Sequence, residues 1–108
     1  MEEYPWLDGH HRSLLETYLV NNFLPSRWGE VNCLWMYKNY QVNMKSLGMR
    51  EVVSPARFVV MVTELAESNW RISVKPQGIE LLEDVILDRL ANSDNNTELY
   101  FKYLTLKH

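Results

Sequence analysis

Hydrophobic and polar positions along the chain follow two different periods, and the switch between them organises the fold that the sequence predicts. In the first half, apolar residues return every three or four positions, as on one face of a helix. Asp8 stands where an N-cap belongs, so a first helix is predicted from about Gly9 to Asn22, with His11, Leu14, Leu15 and Tyr18 on one side. Pro25-Ser26-Arg27-Trp28-Gly29 then reads as a break. A second helix, about Glu30 to Met44, is apolar nearly all round. Val31, Leu34, Trp35 and Val42 lie on one face, and Cys33, Tyr37, Tyr40 and Met44 on the other. Such a helix is either central or shared with a partner; a central place is the expectation.

After a loop from Lys45 to Val53, Ser54-Pro55 reads as an N-cap followed by proline at the first helical position, where its missing N–H costs nothing. That helix runs to about Ser68. Phe58, Met61, Val62 and Leu65 form its core stripe, and Arg57, Val60, Glu64 and Glu67, with Thr63 beside them, face outward. From Trp70 the period becomes two. Trp70, Ile72 and Val74 point one way and Arg71, Ser73 and Lys75 the other, as in a half-buried strand closed by the turn Pro76-Gln77-Gly78. Ile79 to Leu82 is either the return strand of a hairpin or the first turn of a helix to Ala91. On the helical reading Leu82, Val85, Ile86 and Leu90 share a stripe, with Glu83, Asp84 and Asp88 outside it. Ser93 to Asn96 reads as a loop. Leu99 to Leu106 reads as a strand, favoured over a short helix by Tyr100, Phe101 and Tyr103. The predicted class is α+β: three or four helices with a small antiparallel hairpin or sheet, in one domain over residues 1–108.

Composition narrows the setting. With 108 residues, 46% of them hydrophobic, the chain has enough apolar surface for one core. The lone Cys33 has no partner for an intramolecular disulfide, which points to reducing surroundings. No stretch approaches the ~20 apolar residues of a membrane span, and Met1-Glu2-Glu3 lacks the positive charge of a secretory leader. A cytoplasmic or otherwise intracellular location without membrane contact is expected. On that reading the sequon Asn95-Asn96-Thr97 is a polar loop.

The net charge of −3 hides an asymmetry. Residues 31–78 carry six basic side chains (Lys38, Lys45, Arg50, Arg57, Arg71, Lys75) against three acidic ones (Glu51, Glu64, Glu67). Both flanking stretches, 1–30 and 79–98, are net acidic. A central segment of opposite sign is a candidate basic patch.

Catalytic constellations are missing from the pattern. The glycines at 9, 29, 48 and 78 are isolated, so no phosphate loop is present. One Cys and three His, with His10 and His11 adjacent, do not make a zinc motif. Neighbours on a helix point about 100° apart, which predicts one core-edge ring and one exposed ring. Cys33 reads as a small buried hydrophobe. Glu80, Glu83, Asp84 and Asp88 read as one solvated helix side, with acids favoured near the N-terminus. The expectation is a non-enzymatic module with no catalytic residue, metal, cofactor or small-molecule substrate.

Helix, loop, capped helix and basic alternating strand is the order of a winged helix, in which the capped helix enters the major groove of DNA. Ser54, Ala56 and Arg57 would meet phosphate and base edges at that helix's start, Arg71 and Lys75 would flank the backbone from the wing, and Lys45 and Arg50 would approach from the preceding loop. The run Leu34-Trp35-Met36-Tyr37-Lys38-Asn39-Tyr40, a polar spacer, then Val53-Ser54-Pro55-Ala56-Arg57-Phe58 resembles the winged-helix domain at the C-terminus of phage and plasmid primase-helicases. The resemblance covers roughly residues 31–78 and implies a DNA-binding accessory domain with no activity of its own. The chain departs from that pattern where the family has several Lys or Arg on the outward helix face. Here Arg57 is followed by Glu64 and Glu67, which oppose a phosphate field.

The alternative is a protein-interaction module that never touches nucleic acid. Trp28, Trp35, Tyr37 and Tyr40 are residue types that dominate interface hot spots. A two-sided apolar helix would pair with its copy in a homodimer or dock on a larger protein. Glu80, Asp84 and Asp88 would present a carboxylate surface resembling DNA, as some phage-encoded inhibitors of host proteins do.

Overall fold

The computed structural model describes residues 5–91 and 99–107. The loop expected at Ser93–Asn96 and the sequon lie outside them. The element order is α1 (Pro5–Asn22), β1 (Phe23–Asn32), α2 (Cys33–Ser46), α3 (Pro55–Trp70), α4 (Glu83–Ala91) and β2 (Tyr100–Leu106). Four helices pack on a two-stranded antiparallel sheet, an α+β arrangement of winged-helix-like order.

Helix ends follow local chemistry where the sequence carries a cap. Asn32 accepts from the Trp35 backbone N–H at 2.9 Å and starts α2. Ser54 accepts from the Arg57 N–H at 3.2 Å and starts α3, with Pro55 at its first position. At the far end Arg71 turns left-handed (φ 57°) and donates its N–H to the Glu67 carbonyl, ending α3. Helix α1 differs from expectation. It begins at Pro5, so Asp8 lies in its first turn and does not cap it.

The sheet also differs from expectation. The stretch 25–29 does not break the chain but lies within β1, and Glu30 and Val31 belong to that strand, not to α2. The reason is a distant partner. β1 pairs with β2 from Phe23↔Leu106 to Asn32↔Tyr100, and backbone bonds from Lys107 to Asn22 (2.7 Å) and from Cys33 to Leu99 (2.9 Å) extend the ladder at both ends. Residues 70–75 form no strand. Trp70 ends α3, and the segment beyond donates nothing to a ladder, with one backbone bond from the Lys102 N–H to the Val74 carbonyl (3.1 Å). Even so, Arg71, Ser73 and Lys75 are exposed while Val74 is buried, so the alternation is real in exposure. No return strand forms over 79–82, because the chain leads into α4. β2 thus lies between β1 and this extended segment, and α4 occupies the interval where a wing would turn back.

One run of aromatic rings ties the elements together. Tyr18 of α1 meets Phe23 of β1 (5.7 Å) and Tyr40 of α2 (5.8 Å). Phe58 of α3 meets Tyr37 (5.3 Å) and Tyr40 (5.0 Å) of α2 and Phe101 of β2 (6.3 Å). These separations fall in the range of favourable edge and offset contacts. The phenols at the rim find partners. Tyr18 donates to Asn39 Oδ1 at 2.6 Å and Tyr37 to the Val53 carbonyl at 2.7 Å.

Helix α3 is the innermost rod. Val60 and Thr63, expected on its outer face, are buried; α4 packs on this helix, and Arg57, one turn before Val60, lies 3.4 Å from its Glu83. Thr63 satisfies its hydroxyl on the Val59 carbonyl at 2.9 Å. Helix α1 covers another flank through Arg12–Glu64 (2.9 Å) and Asn69–Glu16 (3.1 Å). On α4, Ile86 is buried and Val85 and Leu90 are half-buried, but Leu82 precedes the helix and is exposed.

Phe58 joins three elements, so Phe58→Ala is expected to lower unfolding free energy by about 3–5 kcal/mol. Val42→Ala, at an exposed position of α2, should change it by less than about 0.5 kcal/mol. Urea denaturation followed by circular dichroism measures both.

Candidate functional site

The residues expected to touch DNA fall into two groups. Lys45 in the last turn of α2, Arg50 in the following loop, and Ser54 and Arg57 at the start of α3 lie towards one end of that helix. Arg71 caps its other end, and Lys75 follows Arg71. At 1.5 Å per residue the 16 residues of α3 span about 24 Å, so the set does not converge on the helix start. Arg57 is half-buried and lies 3.4 Å from Glu83 of α4, which offsets its charge. The solvent side of α3 offers Glu64, Glu67 and Ser68. The exposed side of α3 is therefore acidic, and its first-turn cation is paired.

The residues of the alternative reading also separate. Tyr37 and Tyr40 are core, their rings locked against Phe58, and burial raises both phenol pKa values. Helix α2 is therefore one-sided in packing. Its Cys33, Met36, Tyr37, Tyr40 and Met44 face is buried, and Trp35 and Val42 look outward. Glu80 precedes α4 and is exposed, as are Asp84 and Asp88 on the helix.

Trp28 is the outlier. It is 89% exposed, which demands a cause for so large an apolar ring. The cause is register. From Pro25↔Leu104 the ladder resumes at Glu30↔Lys102, so Ser26, Arg27, Trp28 and Gly29 oppose Tyr103 alone. The extra residues leave the sheet as a bulge and carry Arg27 and Trp28 into solvent. Two features hold it. Gly29 presses so closely on the Leu104 carbonyl that a Cβ there would overlap it. Tyr103 takes a left-handed backbone (φ 59°), sparsely populated for a bulky residue, at a cost of about 1–3 kcal/mol.

Two open bays flank this bulge. The first, about 500 Å³, is walled by Pro25, Ser26, Arg27, Ile72, Ser73 and Tyr103 and is largely apolar. The second, about 670 Å³, adds Trp28, Lys75, Lys102 and the turn 76–78. Arg27, Ser73 and Tyr103 line both. Among the described residues Glu30 is the one carboxylate in the walls, and Lys102 holds it at 2.6 Å. Among the described residues Arg27 and Lys75 make no ion pair, so the bays carry net positive charge. Of this platform, the sequence reading named Lys75 and Trp28, on opposing hypotheses. It missed Arg27, Lys102 and Tyr103, whose only signal was a basic or aromatic residue beside a turn or in a terminal strand.

Chemistry elsewhere is muted. Cys33 is buried, and desolvation pushes its thiol above the ordinary value, only partly offset by a backbone hydrogen bond with Phe101. His11 is buried and His10 exposed, as their adjacency predicted. Among the described residues no three His, Cys, Asp or Glu side chains cluster to hold a metal ion, and no helix is long and apolar enough to cross a membrane. No protein-family model, curated protein or solved structure matches the chain.

Two substitutions separate the devices that hold the bulge. Gly29→Ala should destabilise the fold by about 1–3 kcal/mol through overpacking. Tyr103→Gly should leave stability within about 1 kcal/mol of the parent or raise it, since it relieves a left-handed residue. Thermal denaturation reads both.

Proposed function

We propose that this protein is a non-enzymatic, winged-helix-like module that binds nucleic acid, and that its contact surface is the β1 bulge and the neighbouring 72–78 segment. One observation carries the reading: Arg27, Lys75 and Lys102 converge with two exposed aromatic rings, Trp28 and Tyr103, around adjoining bays. Lys102 is matched by Glu30, but Arg27 and Lys75 make no ion pair among the described residues and attract phosphate. The affinity must fall with salt, because releasing condensed counterions into a more concentrated solution gains less free energy. The bulge occupies the sheet side of the fold, where a winged helix brings its wing to the nucleic-acid backbone. The start of α3, the contact expected of a winged helix, is replaced by the bulge in this reading. Lys45 and Arg50 lie outside the platform and contribute long-range attraction.

A second reading, association with a protein or with a second copy, is favoured by Trp35 and Val42. They are 48% and 67% exposed on the same outward side of α2. Apolar contact there would be nearly indifferent to salt.

Fluorescence anisotropy with labelled DNA across a salt series decides between them. Nucleic-acid binding predicts affinity falling steeply with salt, and a smaller salt slope for Arg27→Ala and Lys75→Ala. Arg57→Ala should change little. Gel filtration of the parent and of Trp35→Ala tests the second reading: a salt-resistant dimer lost in the variant would favour it.

A further inference from the structure

The ligand's form can be read from the same surface. We infer that the platform takes a single strand of nucleic acid, with bases stacked on Trp28 and Tyr103 and phosphates held by Arg27 and Lys75. This rests on the nucleic-acid reading above and adds the strand state.

Three observations carry it. First, the element that would read a duplex is closed. Helix α3 is enclosed by α1, α2 and α4, its first-turn Arg57 is matched by Glu83, and its solvent face is acidic. Second, the bulge presents an indole ring that touches almost nothing of its own chain. A paired base keeps its faces against its neighbours, whereas an unpaired base has a free π-face to lay on a ring. Third, apolar and cationic walls adjoin. Pro25 and Ile72 bound one bay, and Lys75 and Lys102 stand in the other, with Arg27, Ser73 and Tyr103 shared between them. That alternation suits a polymer whose bases and phosphates alternate along one backbone. The strained Tyr103 backbone belongs to the same picture, since such strain concentrates where a ring must be presented in a fixed direction.

Anisotropy titrations of the full chain at low salt, with labelled oligothymidine, oligouridine and a mixed-sequence duplex, test the inference. The expected result is single-strand binding at least about tenfold tighter than duplex binding. Trp28→Ala should weaken single-strand binding roughly five- to hundredfold, the range of one lost stacking contact. It should leave the circular dichroism spectrum and the melting temperature unchanged. Trp28→Phe should retain most of the affinity while losing the part of the tryptophan-fluorescence quenching on binding that is expected to come from Trp28 in the parent. Preference for the thymidine or the uridine strand reports the 2′-hydroxyl and the thymine methyl together, and supports the inference in either case. Equal affinity for strand and duplex, with no effect of Trp28→Ala, overturns the single-strand inference but leaves the nucleic-acid reading in place if Arg27→Ala still weakens binding. Absence of binding to all three probes overturns both.

Discussion

The contact on which the architecture depends is that of Phe58 with the rings of Tyr37, Tyr40 and Phe101. Through it α3 is fixed to α2 and to β2, and through Tyr40 and Tyr18 the same packing reaches α1 and β1. Five of the six elements meet in one aromatic run. Ring-to-ring geometry is directional as well as apolar, so it sets the angle of approach and not only the fact of burial. The remaining helix, α4, closes the outer side of α3 with Ile86.

Placing α3 at the centre has a functional cost that the rest of the molecule absorbs. A rod covered on several flanks exposes little more than Glu64, Glu67 and Ser68 along its solvent side. The surface that remains available is the sheet, and there the chain departs from regular pairing. Strain at Tyr103 is unfavourable locally, and the close approach at Gly29 admits no side chain. Each is tolerated because the ladder on either side, Phe23 to Pro25 and Glu30 to Asn32, fixes the register around them. An irregularity held by regular structure on both sides is a rigid mount for side chains, unlike a free loop.

Local signals in the sequence were read correctly where the physics is local. The Ser54-Pro55 cap, the helical stripe of Phe58, Met61, Val62 and Leu65, the aromatic strand near the C-terminus and the in-out alternation of 71–75 all depend on neighbours within a few residues. What failed depends on partners far away. Proline, serine and glycine at 25–29 look like a break until the strand that pairs around them is known. The outward face of α3 looks solvated until the packing of other elements on it buries Val60 and Thr63. The candidate site was half legible for the same reason: Lys75 and Trp28 drew notice by type, but nothing near them in the sequence says that they share a bay with Lys102. Periodicity reports which side of an element is apolar and is blind to register between elements.

The ion pair between Glu30 and Lys102 spans 72 positions of the chain, and the strands that carry it cannot meet until the intervening helices have compacted. Closing so long a loop is entropically costly and slow compared with forming any one helix. The bays on either side of the bulge therefore arise late, as a by-product of the sheet's completion. A chain with its helices formed but its two strands apart would lack the bays altogether, so their presence reports completion of the whole fold.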